Sequence, residues 1–143
     1  LLSGNGKAPQ QQETSIAIEI CEEDDIVTAR NIGRDLCQRL GFSLTVQIKV
    51  ATAISELARN IIQYAGHGMI KVASVGESRR GVEVSATHAG PGIADLEVIF
   101  SGLYRSRTGM GIGLLGTKRL MDEFEIRSEP GAGTEVRAVM YPD

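Results

Sequence analysis

One stretch limits what this chain can fold into more than any other. Leu44 to Ala65 is a single long run in which Val46, Val50, Ile54, Leu57, Ile61 and Tyr64 recur at steps of three and four. That spacing is one apolar helix stripe facing a core. Ser43 is placed to cap its start, and Gly66 follows its end. Glu56 and Asn60 stand four apart late in the run, so both side chains lie on one face at the margin of the stripe. A carboxylate and a carboxamide one turn apart beside a core can reach into a cleft together. They supply two oxygen ligands, or one base and one ligand, of the hard type that Mg2+ prefers. A lone Glu-x-x-x-Asn is also what a solvated helix margin looks like, so the decision falls to the rest of the chain.

Ahead of this helix, Thr14 to Cys21 alternates, with Ile16, Ile18 and Ile20 on one face, as a half-buried strand does. Glu22 to Asp25 then puts four acids at the start of a second helix, where they complement its dipole. Ile26, Ala29, Gly33, Leu36, Cys37 and Leu40 form its stripe, and Gly41 stops it. Two strands follow the long helix, Met69 to Val75 and Val82 to Thr87, and His88 continues the face of Val82, Val84 and Ala86. His88-Ala89-Gly90-Pro91-Gly92-Ile93 reads as a turn leading into a short segment, Asp95 to Phe100. The polar, Gly-rich stretch Ser101 to Gly113 has the character of a mobile lid before a short helix, Ile112 to Met121. Phe124, Ile126 and Ser128 alternate, as does Thr134 to Tyr141, and Pro130-Gly131-Ala132-Gly133 between them is a hairpin turn. Alternating strands imply a mostly antiparallel, mixed sheet with helices on one face and the other face partly wet. The expected class is α+β, a two-layer α/β sandwich.

The 143 residues suit one domain, expected over 14–143, behind a disordered lead-in over 1–13 that holds three consecutive glutamines. The net charge of −3 includes no basic block, which argues against nucleic acid as a partner. No apolar run approaches the roughly 20 residues of a membrane span. The Leu1-Leu2 start is too short for a signal core, and without an initial Met the chain reads as a trimmed or partial one. Cys21 and Cys37 form neither a disulfide framework nor a metal site, and both sit in apolar patterns. Small buried hydrophobes in a reducing cytoplasm are the expectation for both.

Gly111-Ile112-Gly113-Leu114-Leu115-Gly116 fits the dinucleotide fingerprint in letters only, because the polar residues before it cannot form the buried strand that motif needs. No Walker-type Gly-Lys-Ser/Thr occurs. Gly109, Gly111 and Gly113 before a helix still make sense as a phosphate cradle, since glycines let backbone N–H groups approach phosphate and a helix start favours it. A merely flexible loop is the alternative.

Four signals stand in chain order: Ser55-Glu56-x-x-x-Asn60, Gly90-Pro91-Gly92-Ile93, Gly109-Met110-Gly111-Ile112-Gly113-Leu114 and Gly131-Ala132-Gly133-Thr134. Together they resemble the ATP-binding boxes of the GHKL superfamily of gyrase, heat-shock, histidine-kinase and mismatch-repair ATPases. The wording Ala53-Ile54-Ser55-Glu56-Leu57-Ala58-Arg59-Asn60-Ile61, then Tyr64-Ala65-Gly66, is similar to the anti-sigma-factor serine/threonine kinases of the stressosome-switch type. Lys118-Arg119-Leu120-Met121-Asp122-Glu123-Phe124 is similar to them too, and the resemblance spans Thr14 to Met140.

That resemblance implies a Bergerat-type, histidine-kinase-like ATPase fold using ATP and Mg2+. It implies Glu56 as general base for a substrate hydroxyl and Asn60 as the Mg2+ ligand. Gly90 and Gly92 would form the adenine-side turn, with Thr134 near the adenine, and Gly109, Gly111 and Gly113 the lid around the triphosphate. Lys118 and Arg119 read as a solvated basic helix end, or as an aid to phosphate. In the family the adenine box is Asp-x-Gly-x-Gly, its Asp accepting from the adenine amino group, and His88 stands in that place here. The implied partners are STAS-type antagonist or scaffold proteins as substrates and an alternative partner such as a phosphatase. The rival class is a degenerate module that works by partner exchange without catalysis. A sensor histidine kinase domain fits less well because the lid is short, and His67 reads as a capping or surface residue.

Overall fold

The computed structural model describes residues 14–76, 80–89, 110–129 and 133–142. Its elements are β1 (Ser15–Ile20), α1 (Glu23–Arg39), α2 (Leu44–Ala65), β2 (Gly68–Val75), β3 (Gly81–His88), α3 (Met110–Leu120), β4 (Glu123–Glu129) and β5 (Gly133–Met140). This is the expected order of strand, two helices, two strands, helix, two strands.

Local chemistry fixes the helix ends. The Ser43 hydroxyl accepts from the Val46 N–H at 3.2 Å, which starts α2 where the sequence places its cap. Gly66 closes α2 at φ 83°, a backbone state that costs a glycine little, and returns its N–H to the Ile61 carbonyl. At the head of α1 the acids do more than complement the dipole: the Asp25 carboxylate accepts from the Cys21 and Glu22 N–H groups at 2.8 and 3.0 Å. α1 lies tightly on α2 because a Cβ at Gly33 would collide with the Ile54 side chain.

The strand order is β1-β2-β3-β5-β4, and every pairing is antiparallel. The chain leaves β3, passes through α3 to the far edge as β4, and returns by a hairpin to pair β5 with β3. Register aligns Ile18 with Ile70, Ile70 with Ala86 and Ala86 with Val136, so one face of the sheet is continuously apolar. α2 covers that face with Val50, Ile54, Leu57 and Ile61, all buried. Burying each such side chain contributes about 1.5–3 kcal/mol. The opposite face is charged, with Arg127 paired to Glu135 at 3.1 Å and Arg137 set among Glu83, Glu123 and Glu125. Helices on one face and a wet second face make the α+β two-layer sandwich expected.

Of the expected core, Ile18, Leu36, Val50, Ile54, Leu57, Ile61, Val82 and Val84 are buried. Ile16 and Ile126 are only partly buried, because β1 and β4 are the edge strands and lack a neighbour on one side. Cys37 is buried, and burial pushes its thiol up to about 11. Cys21 is exposed, contrary to expectation. It follows Ile20 where β1 turns into α1, so the strand's alternation carries it away from the core. Among the described residues no helix is long and apolar enough to cross a membrane.

Candidate active site

The sequence expects Glu56 and Asn60 to reach one cleft, and the structure brings them together under the first turn of α3. A Cβ built on Gly113 would lie 3.1 Å from Glu56 Oε1 and 3.6 Å from both Asn60 side-chain polar atoms. Glycine is therefore the residue that lets α3 close over this pair. The Thr117 hydroxyl donates to the Gly113 carbonyl at 3.0 Å and is itself buried, which ties that turn down. α3 starts at Met110, so Gly111 and Gly113 lie inside the helix and not in a loop ahead of it, as the sequence reading had them. The cradle argument survives the correction, because the first four N–H groups of a helix have no partner within it.

Glu56 and Asn60 differ in setting. The Glu56 side chain is 36% exposed, with Oε2 accepting from Arg59 Nη1 at 3.2 Å, while Oε1 faces Gly113. Asn60 is 8% exposed, and its buried Nδ2 has no hydrogen-bond partner among the described residues. A buried amide donor without a partner costs about 1–3 kcal/mol. Such a group is completed by an ordered water or by a ligand that supplies the missing acceptor. One carboxylate and one carboxamide beside the first turn of a helix are a donor set that fits Mg2+ and phosphate oxygens.

The other end of the site is a row across three strands. His88 closes β3 opposite Thr134 of β5, and Thr134 stands opposite Ser128 of β4. By parity all three share the helix-covered face, as expected for His88. The Thr134 and Ser128 hydroxyl oxygens are 2.8 Å apart. Between this row and α2 lies a cavity of only about 10 Å3, lined by Asn60, His88 and Thr134 together with Leu57, Ile61, Ala86, Leu114 and Val136. That is room for about one water molecule. Burial in this apolar wall pushes the His88 imidazole below its ordinary 6.5. A wider hollow of about 360 Å3 opens beside it at the strand ends, lined in part by Thr87, His88, Ser128 and Thr134.

Gly90, Gly92, Gly109 and the expected lid as far as Gly109 lie outside the described residues. His67 is exposed just past α2, and Lys118 and Arg119 are exposed in the last turn of α3. Two participants carried no role in the sequence reading. Arg59 is three residues after Glu56, a spacing that signals a helix pair. Ser128 is found by counting the β4–β5 hairpin register outward from its turn.

Residues 45–143 match the family model for histidine kinase-, DNA gyrase B- and HSP90-like ATPases. The chain belongs to that ATPase family. Within it, the serine/threonine-protein kinase RsbT of Bacillus subtilis (strain 168) is 43% identical over 125 residues, 87% of this chain and 94% of that protein. The anti-sigma F factor of Pasteuria penetrans is 32% identical over 99 residues, 63% of this chain and 65% of its own. That of Thermoanaerobacter sp. (strain X514) is 31% identical, covering 64% and 68%. The mycobacterial sensor histidine kinase MprB shares the fold of this ATPase, with a TM-score of 0.54 at 15% identity, over 90% of this chain and 98% of that one. The resemblance carried by the four boxes is thereby borne out.

Proposed function

We propose that the chain is an ATP-dependent protein serine/threonine kinase, a partner-switching regulator of a bacterial sigma-factor or stress pathway. It acts in the cytoplasm on Ser or Thr of STAS-type antagonist or scaffold domains, and the same surface engages an alternative partner such as a phosphatase. The observation that carries this reading is the convergence of Glu56, Asn60 and Gly113, with an amide donor buried and unmatched between them. The similar proteins named a serine/threonine kinase and anti-sigma factors support it.

Asn60 and the N–H groups at the head of α3 would hold the nucleotide's Mg2+ and phosphates, and the ion would supply charge neutralisation there. Glu56 Oε1 takes the proton of the incoming hydroxyl as the new oxygen–phosphorus bond forms, the bond to ADP breaks and ADP departs. Arg59, bound to Oε2, keeps the other oxygen turned toward Gly113. Phosphoryl transfer asks for this positioning more than for covalent chemistry by the protein.

A second reading has its own support. His88, with only about 10 Å3 of space on its helix side, stands in the place of the adenine-box Asp, which favours a module of weak or absent nucleotide binding. Calorimetric titration with Mg-ATP separates the two. Binding followed by phosphate transfer to a STAS domain is expected; no detectable heat at millimolar nucleotide overturns the kinase reading.

A further inference from the structure

Among the described residues four large apolar side chains are exposed, and two of them, Leu44 (60%) and Ile48 (51%), stand one helical turn apart on α2. Single exposed apolar residues are ordinary; a neighbouring pair on a helix that also carries the site's carboxylate is a surface. At 100° per residue, Ile48, Thr52 and Arg59 fall within one narrow arc of α2, with Glu56 on its flank toward α3. All three are exposed, and Glu56 is partly so. The open face of α2 therefore runs from an apolar patch near its start directly to Glu56.

We propose that this face, anchored by Ile48 and Leu44, is the docking surface for the phosphoacceptor protein itself. The inference rests on the kinase reading above and deepens it. Glu56 is partly exposed between α3, which approaches Oε1 at Gly113, and the open side of α2, so a protein that brings a hydroxyl to it lies over that open side. A stable interface takes about 800 Å2 per partner, a disc of about 16 Å radius. Ile48 is eight residues from Glu56, about 12 Å along the axis, and Leu44 about 18 Å. A footprint centred on Glu56 thus includes Ile48 and stops just short of Leu44, which one further helical turn of contact takes in. An apolar side chain inside such a footprint and a second just past its edge, next to a charged Arg59–Glu56 pair, suit a folded domain that carries its Ser or Thr beside an apolar patch. A short peptide reaches Glu56 without reaching them.

The test uses the intact chain, a purified STAS-domain protein, and a short synthetic peptide around the same phosphoacceptor. Leu44→Lys with Ile48→Lys is expected to raise KM for the domain at least about tenfold, with kcat unchanged. Transfer to the peptide, Mg-ATP affinity and the thermal midpoint should stay as in the parent, because both positions are on the surface. An unchanged KM for the domain overturns the docking surface and leaves the kinase reading standing. If the parent transfers no phosphate, the kinase reading falls, and calorimetry with the domain alone judges the surface. Binding by the parent that the double variant loses supports it. No binding by the parent, or equal binding by both, overturns it.

Discussion

Replacing His88 by Asp probes the point where this chain departs from the adenine box it otherwise resembles. On its helix side His88 lines a cavity of only about 10 Å3, too small for a nucleobase, while the hollow of about 360 Å3 that it also lines opens at the strand ends. Its neutral ring, favoured by burial, keeps one acceptor nitrogen, while an ionised Asp is acceptor-only and smaller. A hydrogen bond to a charged acceptor contributes about 1.5–3 kcal/mol, which is about 10- to 100-fold in affinity. His88→Asp should therefore tighten Mg-ATP by at least about tenfold in calorimetric titration. His88→Ala separates the two causes, since it enlarges the cavity and supplies no acceptor. The expected order of affinity is Asp, then Ala, then the parent. Equal binding by all three would mean that His88 does not read the nucleobase and that the box is misaligned. Ala matching Asp would leave volume, not charge, as the whole effect.

Glu56→Ala should nearly abolish phosphotransfer while Mg-ATP still binds, and Asn60→Ala should weaken binding itself; equal loss of both functions in both variants would refute these separate roles. Leu57→Ala and Ile61→Ala, each removing a side chain at 1% exposure, should each cost about 2–5 kcal/mol in denaturant unfolding, and no measurable change would mean the stripe is misassigned. Because burial lowers the His88 pKa from 6.5, the unfolded chain binds the proton more readily. Stability should therefore fall as pH drops below about 6.5, and His88→Phe should flatten that slope in thermal unfolding scans; an unaltered slope assigns the effect elsewhere.

The fold was legible because its two periodicities are clean. The three- and four-step spacing of Val50, Ile54, Leu57 and Ile61 and the alternation of Val82, Val84 and Ala86 each satisfied only one kind of element. Burial at the margins was less legible, because alternation alone does not reveal which strands end up at an edge, as Ile16 and Ile126 do. Cys21 was misjudged because its apolar neighbour Ile20 outweighed the alternation, which puts position 21 on the opposite, exposed face. The pairing of Glu56 with Asn60 needed only helix geometry, whereas the Thr134–Ser128 contact depends on register, which the turn residues imply without fixing. The start of α3 at Met110 was hidden because glycine normally argues against a helix, and here it serves a close approach to α2.

The unmatched amide of Asn60 has a bearing on how such a chain can drift. A folded domain has only about 5–15 kcal/mol to spare, so a buried donor without a partner among the described residues is a standing burden. An apolar residue of similar volume at position 60 would relieve that burden, in a wall already made of Leu57, Ile61 and Leu114. Among the described residues, Asn60 Nδ2 makes no hydrogen bond that such an exchange would break. A domain that had given up nucleotide and served only as an adaptor would be free to make the exchange, and stability would favour it. Under the proposed kinase function, by contrast, the same exchange would take away a group that the nucleotide's Mg2+ and phosphates call for, so stability and function would pull position 60 in opposite directions.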